Sequence, residues 1–136
     1  MKSGTLTPSL REGEVKGRLF LAVFALAAVT AGSAWAADSA KGKEIFNGPA
    51  GCGDCHRITT KKSGGPGLAG TGKLHTDEWL ARWLKEPKKT WQENDAETAE
   101  MKKRLKQQDA DRSGMKVRKD LSDDELADLI EYLRTL

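Results

Sequence analysis

Two thiols and an imidazole lie within five consecutive positions, Cys52-Gly53-Asp54-Cys55-His56. C-x-x-C-H is the pattern through which a c-type haem is attached to a chain. Each thiol can add across one vinyl group of the porphyrin, and the imidazole that follows is carried over the iron as its proximal ligand. The chain has two cysteines, so no thiol is left for another task.

Other chemistries fit the five residues less well. A thioredoxin-like C-x-x-C opens a helix directly after a buried strand, whereas Phe46-Asn47-Gly48-Pro49-Ala50-Gly51 reads as a loop. A zinc site could be drawn from Cys52, Cys55, His56 and His75. Zinc takes a tetrahedral cage from spaced ligand pairs, and adjacent Cys55 and His56 are poorly placed to share one ion. A disulfide between Cys52 and Cys55 would close so small a loop that it would stabilise little.

The N-terminus reads as an export signal. Lys2, Arg11, Lys16 and Arg18 form a basic leader, Leu19 to Ala31 is an apolar run, and Ala34-Trp35-Ala36 fits a cleavage site after Ala36. The alternative is an uncleaved anchor, because Leu19 to Ala37 is uncharged and just long enough to span a bilayer. Gly32 and Ser33 favour cleavage. Export suits the motif, because covalent haem attachment takes place outside the cytoplasm, and a periplasmic location is expected. Cleavage leaves residues 37–136 as one domain with a modest core of its own. A tethered porphyrin would enlarge that core, and the apo-chain is expected to be marginal.

Charge excludes little else. The chain carries 23 Lys and Arg against 20 Asp and Glu, a net charge of +3. The leader holds four of those cations and two of the anions. The domain beyond it is near neutrality and does not announce a nucleic-acid partner.

The elements that must position the motif read as helices. Asp38 or Ser39 caps a first helix through Phe46, with Gly42 and Phe46 on one face. Thr59 to Lys73 is a glycine-rich loop around Pro66. It resembles no phosphate loop, since it lacks a GK[ST] ending and follows no strand. Thr76 opens a second helix whose apolar face is Trp79, Leu80, Trp83 and Leu84, and Pro87 ends it. A polar helix is expected over Glu97 to Gln108, and its basic cluster of Lys102, Lys103, Arg104 and Lys106 reads as a solvated face. Asp109 to Asp120 reads as an extended loop. Ser122-Asp123-Asp124-Glu125 is a capping box for the last helix, with Leu126, Leu129, Ile130 and Leu133 as its buried stripe. No strand-like alternation of useful length appears.

Over Asp38 to Leu136 the chain resembles the small, single-haem class I cytochromes c. The resemblance is carried in order by Gly42 and Phe46, by Cys52 to His56, by Gly65-Pro66-Gly67-Leu68, and by a last helix with Leu129 and Tyr132 preceded by a methionine loop. It implies an all-α fold of three to four helices around one covalently bound haem c. In that fold Gly42 and Phe46 would pack against Leu129 and Tyr132 where the first and last helices cross. The Pro66 carbonyl would accept a hydrogen bond from the far nitrogen of His56, fixing the ring's tautomer.

The distal iron ligand is left among three residues. Met115, in the loop before the last helix, stands where the family places its axial methionine. Met101 lies within a polar helix and is more simply a packing residue, and His75 reads as an exposed cap. The family often has Met-Pro here, whereas this chain has Met115-Lys116, which leaves the loop less rigid. A thioether on iron would raise the potential and close the sixth position.

The expected protein is therefore a periplasmic, monomeric electron carrier without enzyme activity. Its encounters with larger redox proteins would be small and transient; Lys61, Lys62, Lys85, Lys88 and Lys89 read either as charges that steer acidic partners or as scattered solvated lysines. It would have no nucleic-acid partner and no membrane association after signal cleavage. The alternatives are a permanent haem subunit of a multi-subunit oxidoreductase, or a ligand-binding haem protein if the distal site is open.

Overall fold

The computed structural model describes residues 36–136. The predicted export signal lies outside the described residues, apart from Ala36 at its end. Five α-helices follow one another: α1 Ser39–Asn47, α2 Asp77–Lys85, α3 Pro87–Glu93, α4 Ala96–Arg104 and α5 Asp123–Arg134. There is no strand among the described residues, and no helix there is long and apolar enough to cross a membrane.

The frame is the pairing of α1 with α5. Asp38 caps α1 by accepting from the Ala40 amide at 2.8 Å, and its own amide donates to Asp128 on α5 at 2.7 Å. Gly42 is the point of closest approach. A β-carbon there would stand 2.0 Å from the Asp128 carbonyl oxygen and 2.8 Å from Cβ of Tyr132. One turn on, Phe46 meets Tyr132 edge to face with ring centroids 5.5 Å apart. Leu129, on α5, is fully buried. Ser122 and Glu125 form the reciprocal capping box of α5, which satisfies two amides that a helix start would otherwise leave unpaired.

The region after Pro87 differs from the sequence reading. Pro87 ends α2 and also opens α3, standing at a first-turn position where its missing N–H costs nothing. Asn94, in the left-handed region at φ 50°, closes α3, and Asp95 caps α4 through the Thr98 amide at 2.9 Å. Two short helices thus stand where one polar helix was expected, and the described residues form five helices in place of three to four. α4 stops at Arg104 instead of running to Gln108.

These two helices have a built interior. Trp79 Nε1 donates to Thr98 Oγ1 at 2.9 Å in a buried contact. Lys102, which the basic cluster suggested was solvated, is buried. Its ammonium donates to the Trp91 carbonyl at 2.9 Å and to Asn94 Oδ1 at 2.8 Å, and lies 4.6 Å from the centre of a Trp91 ring. A buried ammonium is tolerated only with such partners. His75, Trp79 and Trp83 stack in a row with successive centroids 3.9 and 5.2 Å apart.

Candidate functional site

The motif occupies a single helical turn. After α1 the chain turns through Gly51, at φ +68°, into a short 3-10 turn, Cys52–Asp54. The Cys55 amide donates to the Cys52 carbonyl at 3.2 Å and the His56 amide to the same oxygen at 2.9 Å. Cys52, Cys55 and His56 are thus i, i+3 and i+4 of one turn, the spacing that puts three side chains on one side. Both cysteines are free thiols, Cys52 partly buried and Cys55 exposed. Burial pushes the Cys52 thiol above its usual value, helped by neighbouring Cys55, so the free thiol keeps its proton at neutral pH.

The glycine-rich loop lies alongside the motif. The Gly65 amide donates to the Cys55 carbonyl at 2.6 Å, the Leu68 amide to Arg57 at 2.9 Å and the Ala69 amide to Thr59 at 3.2 Å. Gly65 lies against the His56 ring, where a β-carbon would come within 2.7 Å of Cε1. The next residue completes the arrangement: His56 Nδ1 is 2.7 Å from the Pro66 carbonyl oxygen. A carbonyl can only accept, so Nδ1 carries a proton, and Nε2 is the nitrogen left to bind a metal. A neutral imidazole with a free Nε2 is a metal ligand.

The donor set fits a covalent haem. Two free thiols and an oriented imidazole share one turn, and the glycine beside the ring leaves no side chain to displace it.

Of the three candidate distal ligands, Met101 is buried in the core on α4. His75 is buried, so the reading of it as an exposed cap is corrected; Thr76 is the cap of α2. The His75 ring stacks on Trp79, and its Nε2 accepts from the Arg104 guanidinium at 2.9 Å. Burial, with Arg104 beside it, holds the His75 pKa below its ordinary value. With both the aromatic row and Arg104 engaging it, this ring does not join Cys52, Cys55 and His56 in a zinc cage. No group of three or more metal-ligating side chains gathers among the described residues.

Met115 lies in the non-helical stretch before α5 and is partly buried against the core, with its amide donating to Ser113 Oγ at 3.1 Å. It lines a cleft of about 610 Å³ with Leu84, Pro87, Val117 and Leu121. That cleft is not lined by Cys52, Cys55, His56 or Pro66. The Met115 loop reaches the motif through another residue. The Arg118 amide donates to the Ala50 carbonyl at 3.3 Å, and its guanidinium pairs with Asp54 inside the motif. Neither Arg118 nor Asp54 was a candidate from the sequence, where a charge at an x position of C-x-x-C-H carries no signal. Of the five lysines expected to steer partners, Lys85 holds Asp123 at 2.6 Å and Lys89 holds Glu86 at 3.2 Å.

An all-helical domain with this motif defines a class of small proteins built to bind haem covalently. The family model described as cytochrome c matches residues 39–136, and the chain belongs to that family. Membership implies a covalently bound haem c and haem-based electron transfer. No curated protein and no solved structure matches the chain.

Proposed function

We propose that this protein is an exported, monomeric carrier of single electrons on one covalently attached haem, with His56 as proximal and Met115 as distal ligand. The observation that carries the reading is the turn at Cys52 to His56, with the imidazole oriented by the Pro66 carbonyl at 2.7 Å. The bound haem would supply a reversible one-electron change between ferric and ferrous iron. The chain's own contribution is positional. Cys52 and Cys55 would hold the porphyrin through two thioether bonds. Pro66 sets the tautomer and raises the donor strength of His56. The leader, with its Ala34-Trp35-Ala36 site, supports periplasmic export.

Met115 is favoured over its rivals by its surroundings. It sits in a loop free of helical constraint, whereas Met101 is committed to the core and His75 to Arg104. A thioether donor at this residue would favour ferrous iron and exclude small ligands. Partners would be larger redox proteins met in brief encounters. Lys61, Lys62 and Lys88 are exposed and not engaged in an ion pair among the described residues, so they remain as steering charges.

The test is the absorption spectrum of the holo-protein. The weak long-wavelength ferric band of sulfur on iron is expected, and Met115→Ala removes it. Survival of the band in that variant would move the ligand to Met101, and ready carbon monoxide binding by the wild-type ferrous form would favour the ligand-binding alternative.

A further inference from the structure

We propose that Asp54 and Arg118 form a strap between the haem-attachment motif and the Met115 loop, and that this strap holds the thioether in ligating position. The inference rests on the reading of Met115 as distal ligand and deepens it. Haem attachment requires Cys52, Cys55 and His56; the two residues between the cysteines are chemically free. One of them, Asp54, pairs with Arg118.

Three contacts converge on Arg118. Its amide donates to the Ala50 carbonyl at 3.3 Å. Its aliphatic stem lies over Gly51, where a β-carbon would stand 2.5 Å from Arg118 Cδ. Gly51 also adopts φ +68°, a backbone conformation that is strained for a residue with a side chain. The guanidinium then reaches Asp54. On the other side of Met115, buried Ser113 accepts the Met115 amide at 3.1 Å.

Chain geometry sets the reach of the strap. Arg118 is the third residue after Met115, so their α-carbons are at most about 11 Å apart. Fixing Arg118 against the motif therefore confines Met115 to the neighbourhood of the attachment turn. This matters more here because Lys116 follows Met115, and the loop lacks the rigidity a proline would give it. The strap is a positioning device, in which Arg118 acts through Met115.

Both side chains are largely exposed, 63% for Arg118 and 53% for Asp54, so replacing either need not disturb the core. An exposed ion pair changes a population by no more than about fivefold. The test uses holo-protein carrying Arg118→Glu, and the exchanged pair Asp54→Arg with Arg118→Glu. Carbon monoxide association with ferrous protein reports how often the distal ligand is off, the long-wavelength ferric band reports ligation, and the pyridine adduct reports attachment. Arg118→Glu is expected to raise carbon monoxide association about fivefold and weaken the band, with an unchanged pyridine adduct. The exchanged pair is expected to recover wild-type behaviour. Unchanged carbon monoxide association in Arg118→Glu, or no recovery in the exchanged pair, would overturn the strap. Failure of the underlying reading looks different: the wild-type protein would lack the band, or keep it in Met115→Ala, and the strap would fall with it.

Discussion

Replacing Gly42 by alanine sets two opposing effects against each other. Alanine is the better helix former by about 1 kcal/mol, so the substitution is favourable for α1 in isolation. In the folded protein the new methyl would stand 2.0 Å from the Asp128 carbonyl oxygen and 2.6 Å from its carbonyl carbon. Both are backbone atoms of α5 and cannot rotate aside. The helices must part by about 1 Å to reach even a tight van der Waals contact. That separation loosens the Phe46–Tyr132 edge contact and the packing of fully buried Leu129. Overpacking costs about 1–3 kcal/mol when side chains can adjust, and more than that when backbone must move. We expect a net loss of about 2 kcal/mol after the propensity gain. For a domain of this size that lowers the melting temperature by about 8–16 °C. Thermal unfolding of holo-protein, followed by circular dichroism, measures it. A melting temperature equal to or above wild type would refute the argument that α1 and α5 meet backbone to backbone at Gly42.

Two further predictions concern the α2–α4 side. Thr98→Val keeps the shape but leaves Trp79 Nε1 buried without an acceptor, and a loss of about 1–3 kcal/mol is expected in denaturant titration; a change within error would mean the indole finds another partner. Asp95 is pushed up by its partial burial, but hydrogen bonds from the Thr98 amide and Arg82 outweigh this and lower its pKa from 3.8 to about 2. A depressed carboxylate stabilises the fold above its unfolded pKa and loses that contribution as pH falls through the folded value. The melting-temperature difference between wild type and Asp95→Asn should therefore shrink as pH falls from about 4 to about 2, and a constant difference would contradict it.

Much of the fold was legible because local signals and burial agreed. Ser122 and Glu125 are a box whose two hydrogen bonds both form. The apolar faces of α2 and α5 follow the helical period, and Trp79, Leu80, Leu126 and Leu129 are buried. The region from Pro87 to Arg104 was less legible because its burial is chemical more than apolar. Lys102 enters the interior through hydrogen bonds to Trp91 and Asn94, which polarity alone reads as a solvated face. His75 goes inside because Trp79 stacks on it and Arg104 donates to its Nε2. At the site, the C-x-x-C-H turn and Pro66 can be read as motifs. Arg118 cannot, because its importance depends on a contact with Asp54 across 64 residues of sequence.

Intact mass spectrometry of the protein matured in a host with haem-ligation machinery tests most directly for the covalent cofactor. A polypeptide beginning after Ala36 and heavier by one haem is predicted, with the haem retained under denaturing conditions and lost in the Cys52→Ala, Cys55→Ala variant. A colourless wild-type chain at the bare polypeptide mass would contradict the central claim.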